Sequence, residues 1–147
     1  MSGYAHPEVI VDTHWVAEHL HAPNVRIVEV GYDLSNYNSG HIPGAVNHHY
    51  QRNVNAAGTF LPREELRRQL AATLGGRPAS SAILYCGSGV TACHLLLALE
   101  HAGLGEARLY AGSWSEWSSD ETRPAASGEE PTGVQVLARD EERTGGE

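Results

Sequence analysis

Cys86 closes a short apolar run, "AILY", and is followed at once by Gly87, Ser88, Gly89, Val90 and Thr91 before a strongly apolar stretch begins. A thiol at a strand-to-helix junction sits where ligands gather in a parallel α/β sheet, beyond the carboxyl ends of the strands. The first turn of the next helix leaves backbone N–H groups without intrahelical partners. With the helix dipole, these favour an anion. A thiolate is such an anion, and it is the nucleophilic form of cysteine. Gly87 and Gly89 let the backbone curl with its N–H groups turned inward, and Ser88 and Thr91 add hydroxyl donors. Cys86 is thus the candidate catalytic nucleophile, and Gly87, Ser88, Gly89, Val90 and Thr91 form the candidate substrate- or anion-binding loop. The competing reading is a buried structural cysteine before an ordinary glycine turn. Cys93 falls inside the apolar helix and is expected to pack in the core.

The elements that hold this loop follow from periodicity and punctuation. Val9 to Val11 reads as a short strand, and Asp12 or Thr13 caps a helix reaching Leu20. "NVRIVEV" at 24–30 is a buried strand, and "GYDLSNYNSGHIPG" at 31–44 reads as loop throughout. "AVNHHY" holds a short strand. A helix runs from Pro62 to Leu74, with Glu64 and Glu65 early and Gly75 as its C-terminal stop. The strand "SAILY" precedes the cysteine loop. The helix from Val90 to Ala102 is apolar nearly all round and is expected deep in the domain. "ARLYAG" at 107–112 is a strand and "SWSEWSS" a turn or short helix. Such alternation predicts an α/β fold: one domain, with a mainly parallel five-stranded sheet flanked by helices on both faces. The domain is expected over 1–125, with 126–147 as an acidic, mobile tail in which "VQVL" pairs locally.

The chain has 147 residues, the size of one ordinary domain. Ten arginines, no lysine and 18 acids give a net charge of −8, which argues against nucleic acid and anionic membranes as partners. The Ala- and Gly-rich composition suggests a GC-rich, bacterial genome. No apolar run is long enough to cross a membrane and no secretory signal opens the sequence, so a cytoplasmic, soluble protein is expected. Two cysteines seven apart fit no zinc pattern, and His48 and His49 would face opposite ways on a strand. No metal and no cofactor is expected.

Three segments, "SGHIPGAVN" at 39–47, "CGSGVTAC" at 86–93 and "YAGSWSEWSSD" at 110–120, together resemble the rhodanese-type sulfurtransferases, in the family's own order. The resemblance spans roughly residues 8–125 and implies a rhodanese-like domain. It also implies a ping-pong reaction: Cys86 takes a sulfane sulfur, becomes a persulfide and passes the sulfur to a thiol or cyanide. The loop is most similar to that of the 3-mercaptopyruvate branch, whereas the thiosulfate branch carries basic residues there. Neutral amides and hydroxyls suit a singly charged donor. The small-molecule donor and acceptor are the expected partners. Related cysteine phosphatases place an arginine six positions after the cysteine to clamp phosphate. Here that position is Ala92.

The chain also departs from the family. Larger members carry two such domains in tandem with the site between them, and this length holds one. Up to about Val46 the sequence resembles the opening of a first domain, and from Asn47 onward a second, as in a shortened descendant of a tandem enzyme. Catalytic domains of the branch place an arginine just after the second strand, to reach the donor's carboxylate. Gly31, Tyr32 and Asp33 stand there instead, leaving Arg52 as the nearest candidate substrate contact in sequence, against the ordinary reading of a solvated surface arginine. A homodimer is one way to rebuild a cleft. His41 is expected to tie its loop by hydrogen bonds, His94 to cap a polar edge, Trp114 and Trp117 to pack, and Glu116 to anchor. Two further readings stand beside the enzyme: a rhodanese-fold binding or regulatory module of weak activity, and a sulfur-relay protein with a protein-thiol acceptor.

Overall fold

Apolar side chains alternate along the central strands and so build two cores, one on each face of a sheet. The computed structural model describes residues 7–31, 34–87, 90–128, 131 and 134–137. In chain order its elements are β1 (Ile10–Val11), α1 (Thr13–Glu18), β2 (Arg26–Glu29), α2 (Leu34–Ser39), β3 (Val46–Asn47), α3 (Arg63–Leu74), β4 (Ala82–Tyr85), α4 (Ala92–His101), β5 (Arg108–Tyr110), α5 (Ser113–Trp117), β6 (Pro124–Ser127) and β7 (Val134–Leu137). A 3₁₀ turn, Tyr50–Asn53, lies between β3 and α3.

The sheet order is β1-β5-β4-β2-β3 and every pairing in it is parallel. This is the α/β architecture that the alternation of elements predicts. On one face, Val28, Val30 and Leu84 meet Leu66, Leu70 and Leu74 of α3 and Leu95 and Leu99 of α4, all buried. On the other, Ile27, Ile83 and Tyr85 meet Val16, Ile42 and Trp117. Each fully buried leucine contributes roughly 1.5–3 kcal/mol. The helix ends follow local chemistry. Asp12 caps α1 by accepting the N–H of Trp15 at 2.8 Å. Gly75 ends α3 at φ 64°, in the left-handed region that glycine adopts without steric cost.

Two expectations need correction. The stretch 31–44 is not loop throughout, because α2 forms within it. Its Tyr37 is buried, stacks on His41 at 3.8 Å and donates its hydroxyl to Ala45 O at 2.6 Å. Tertiary burial thus overrides a turn-rich composition. Nor does α4 lie deep all round. Ala92, Leu95, Ala98 and Leu99 face the core, but Leu97 is 61% exposed and Cys93 is exposed, so the second thiol is not a core residue. Residues 92, 95, 98, 99 and 102 form one helical stripe, and 93, 97 and 100 fall on the opposite side.

Backbone pairing continues past residue 125. His41 and Ala126 exchange N–H···O bonds of 2.8 Å in both directions, and β6 pairs with β7 in antiparallel fashion. "VQVL" therefore pairs locally, as its composition suggested. Residues 138–147, the end of the expected tail, lie outside the described residues.

Candidate active site

β4 delivers Cys86 to the carboxyl edge of the sheet, between the ends of β2 and β5. The side chain faces the core built by α3 and α4, and the residue is 5% exposed. The N–H of Ala92, the first residue of α4, donates to Cys86 Sγ at 3.4 Å. A main-chain dipole at a helix N-terminus thus points at the sulfur, as the strand–loop–helix order leads one to expect. The position that would carry a phosphatase arginine here contributes its amide instead. Gly87 is exposed, Val90 is 77% exposed and Thr91 is half-buried. The N–H groups of Cys93 and His94 return to Val90 O and Thr91 O, so the first turn of α4 closes on the loop itself. Ser88 and Gly89 lie outside the described residues.

The loop is held from the other side by α5. Cys86 N donates to Ser113 Oγ at 3.1 Å, and that hydroxyl donates to Tyr110 O at 2.9 Å. Trp114 N donates to Cys86 O, and both the N–H and the hydroxyl of Ser115 donate to Gly87 O. Ser113 adopts φ 55°, the one positive φ among the described non-glycine residues. A serine in the left-handed region is strained, and such strain persists where the surroundings over-determine it. Trp114 lies over Gly40, where a Cβ would stand 2.9 Å from Trp114 Cζ2. The sequence singled out "YAGSWSEWSSD", but the clamp made by Ser113 and Ser115 is not visible in it, because it depends on a backbone twist that serine rarely takes.

A polar network flanks the loop. His48 is fully buried, with Nδ1 2.7 Å from Thr73 Oγ1 and Nε2 2.7 Å from Asn53 Oδ1. Asn53, also buried, donates Nδ2 to His94 Nδ1 at 3.4 Å. Burial, foremost, pushes the His48 imidazole down to about 4, against the hydrogen bond with Asn53 and with help from the Arg52 charge. Burial also lowers His94. Tyr50 and Phe60 both meet the His94 ring edge-on. His94 therefore sits in an aromatic and amide setting rather than capping a polar edge. Tyr50 N donates to Gly31 O at 2.9 Å, which seats the 3₁₀ turn on the end of β2. Arg52, exposed, rides on this turn. Tyr32 and Asp33 lie outside the described residues.

His41 is fully buried, with its ring nitrogens 2.9 Å from Tyr37 O and Pro131 O, so it ties the loop. Trp117 is buried and donates Nε1 to Pro124 O. Glu116 accepts from Thr13 Oγ1 and so anchors α5 to α1. A residue the sequence did not flag is Glu29, at the end of β2 and 7% exposed. Burial, opposed by hydrogen bonds from Tyr85 and Asn47, raises its carboxyl to about 7. Its register partner is Tyr85, so it faces the sheet side opposite the Cys86 thiol. Among the described residues no helix is long and apolar enough to cross a membrane.

Comparison with known proteins points one way. The chain is 53% identical over 91 residues, or 62% of its length, to a Pseudomonas aeruginosa protein named "Probable 3-mercaptopyruvate sulfurtransferase", of which it covers 32%. It is 37% identical over 83% of its length to the "Sulfur carrier protein TtuD" of Thermus thermophilus, of which it covers 43%. The chain thus spans less than half the length of these relatives. A solved structure of an EanB variant, with ergothioneine covalently linked to a cysteine persulfide, superposes with a TM-score of 0.69 and 26% identity. That superposition covers 84% of this chain and 33% of the other. The rhodanese-like domain family matches residues 12–120, and the chain belongs to that family.

Proposed function

We propose that this chain is a sulfurtransferase that carries sulfane sulfur as a persulfide on Cys86. The observation that carries the reading is the Ala92 N–H aimed at Cys86 Sγ at the carboxyl edge of a parallel sheet. In the first half-reaction the Cys86 thiolate attacks the donor's transferable sulfur. With 3-mercaptopyruvate the C–S bond breaks, its electron pair goes to carbon, and that carbon takes up the thiol proton, giving pyruvate. With thiosulfate the S–S bond breaks and sulfite leaves. Cys86 then bears an S–S⁻ group. In the second half-reaction an acceptor thiolate or cyanide attacks the outer sulfur and Cys86 departs as a thiolate. Both anionic forms gain from amide dipoles fixed before the reaction, which need no reorganisation as charge moves. Gly87, Val90 and Thr91, together with Ser88 and Gly89, form the donor-binding loop, and Arg52 is the candidate carboxylate contact. No cofactor takes part.

A second reading has its own support. The Thermus relative named a sulfur carrier matches more of this chain than the Pseudomonas protein does. In that reading the acceptor is a protein thiol and turnover with small acceptors is slow. Intact-mass spectrometry after incubation with 3-mercaptopyruvate or thiosulfate tests both. Sulfur transfer requires a mass gain of one sulfur atom, lost on reduction, absent from Cys86→Ser and retained in Cys93→Ser. A loaded protein that passes its sulfur to dithiothreitol or cyanide in many cycles is the enzyme. Loading without such turnover favours the carrier. No gain with either donor leaves a binding module of the same fold.

A further inference from the structure

At the amino ends of β4 and β5, on the face away from the Cys86 side chain, lies a cavity of about 540 Å³ bordered by Trp15, His19, Asn24, Arg77, Ser80 and Arg108. Its deepest strand residue, Ile83, precedes Cys86 by three positions, so about 10 Å of strand separates the two. The chain carries 18 acidic residues against ten arginines, yet among the described residues no carboxylate lines this cavity. Arg77 and Arg108 do, and Arg26, outside the lining, neighbours Arg77. A Cβ at Gly75 would meet Arg77 Nη1 at 3.1 Å and Arg26 Cζ at 3.2 Å, so two guanidinium groups converge over one glycine. Among the described residues no carboxylate pairs with Arg26, Arg77 or Arg108. Arg26 and Arg77 each direct Nε at a backbone carbonyl, Thr73 O and Pro23 O. Arg108 lies over the Trp15 ring at 5.5 Å.

We propose that this cavity binds a small doubly charged oxyanion of the sulfate or phosphate class. Like charges held together without a counter-charge raise the energy of the empty site. A planar guanidinium fork matches two oxygens of a tetrahedral anion, and two such forks match its double charge. The repulsion between the neighbouring guanidiniums is felt at Arg26, whose proton affinity burial and Arg77 lower. The choice of a small anion over a nucleotide follows from Trp15. His19 stacks on its ring at 3.8 Å and Arg108 covers it as well, so the indole offers no face to a base. The proposal is independent of sulfur transfer at Cys86.

Two-dimensional NMR titration with sodium sulfate, against sodium chloride at equal ionic strength, tests it. Sulfate does not react with a thiol, so any response is binding. Saturable shifts are expected at the Trp15 indole and the amides of Gly76, Arg77, Ala79, Ser80 and Ser81, and they persist in Cys86→Ser. Arg77→Gln weakens the affinity by about tenfold or more. Ser80→Asp, at an exposed rim position, brings a competing carboxylate and abolishes the response without touching the core. Sulfate shifts that match those of chloride overturn the proposal. So does unchanged affinity in both variants.

Discussion

The carbonyl of Cys86 accepts the main-chain N–H of Trp114 at 2.9 Å. The residue that carries the thiol and the helix that follows the next strand therefore fix one another. The neighbouring bonds strengthen this coupling, since Ser113 Oγ takes the Cys86 N–H and Ser115 takes the Gly87 carbonyl twice over. The nucleophile is thus held at both of its backbone groups by α5, while α4 supplies the dipole at its sulfur. Position and polarity come from two different helices.

Ser113 makes that coupling testable. Its hydroxyl both accepts from Cys86 N and donates to Tyr110 O in a fully buried setting. Ser113→Ala leaves both partners unsatisfied and should cost about 1–3 kcal/mol. Ser113→Gly loses the same bonds but relieves the positive φ, recovering roughly 1 kcal/mol. Urea unfolding should rank the proteins Ser, then Gly, then Ala, and sulfur loading of Cys86 should slow in both variants. A glycine variant less stable than the alanine one would refute the strain argument.

Gly40→Ala acts on the same clamp from below. The new methyl would meet Trp114 Cζ2 at 2.9 Å, so the half-buried indole has to shift. Overpacking of this kind costs about 1–3 kcal/mol. Because Trp114 opens the turn that holds Cys86, loading should fall beyond what the loss of folded protein explains. Rates corrected for folded fraction distinguish the two effects.

The strand-to-helix thiol was legible because it combines a local pattern with a fold-wide rule. "AILY" then Cys86 then glycines requires little tertiary knowledge to place at the sheet's carboxyl edge. The parallel sheet was legible from alternation alone. What stayed hidden depends on contacts distant in sequence. α2 forms because Tyr37 finds Ala45 and His41, which turn-forming residues do not announce. Leucines at 95, 96, 97 and 99 read as full burial, but only one stripe of α4 meets the sheet, and Leu97 and Cys93 fall outside it. A donor at the sulfur, the Ala92 N–H, lies just past the loop the sequence nominated, since helix geometry rather than residue type selects it.

Arg52 offers a direct probe of donor choice. It is exposed, on a 3₁₀ turn whose Tyr50 bonds to the backbone of Gly31 at the end of β2. A charged contact to the donor's carboxylate predicts that Arg52→Gln raises KM for 3-mercaptopyruvate by about tenfold while kcat changes little. Stability should shift by less than about 0.5 kcal/mol, as for most exposed positions. Steady-state kinetics with an unaltered KM would remove Arg52 from the site.

Glu29 and His48 give opposite pH signatures. Burial raises Glu29 to about 7 from 4.5, so its folded form favours the proton. That contribution is complete below pH 4.5 and is lost as pH rises through 7. Burial lowers His48 to about 4 from 6.5, so its contribution is complete above pH 6.5 and is lost as pH falls through 4. Each is worth roughly 3 kcal/mol at full extent. Between pH 4.5 and 6.5 the two slopes oppose, and their joint effect on stability should be nearly flat. Glu29→Gln keeps a neutral partner for Tyr85 and Asn47 while removing the first slope. Its urea midpoint should then climb from pH 4 to 6.5, hold its level to pH 8, and there exceed that of the parent. Parallel profiles for parent and variant would mean that Glu29 does not titrate in this range. A variant profile without the climb would say the same of His48.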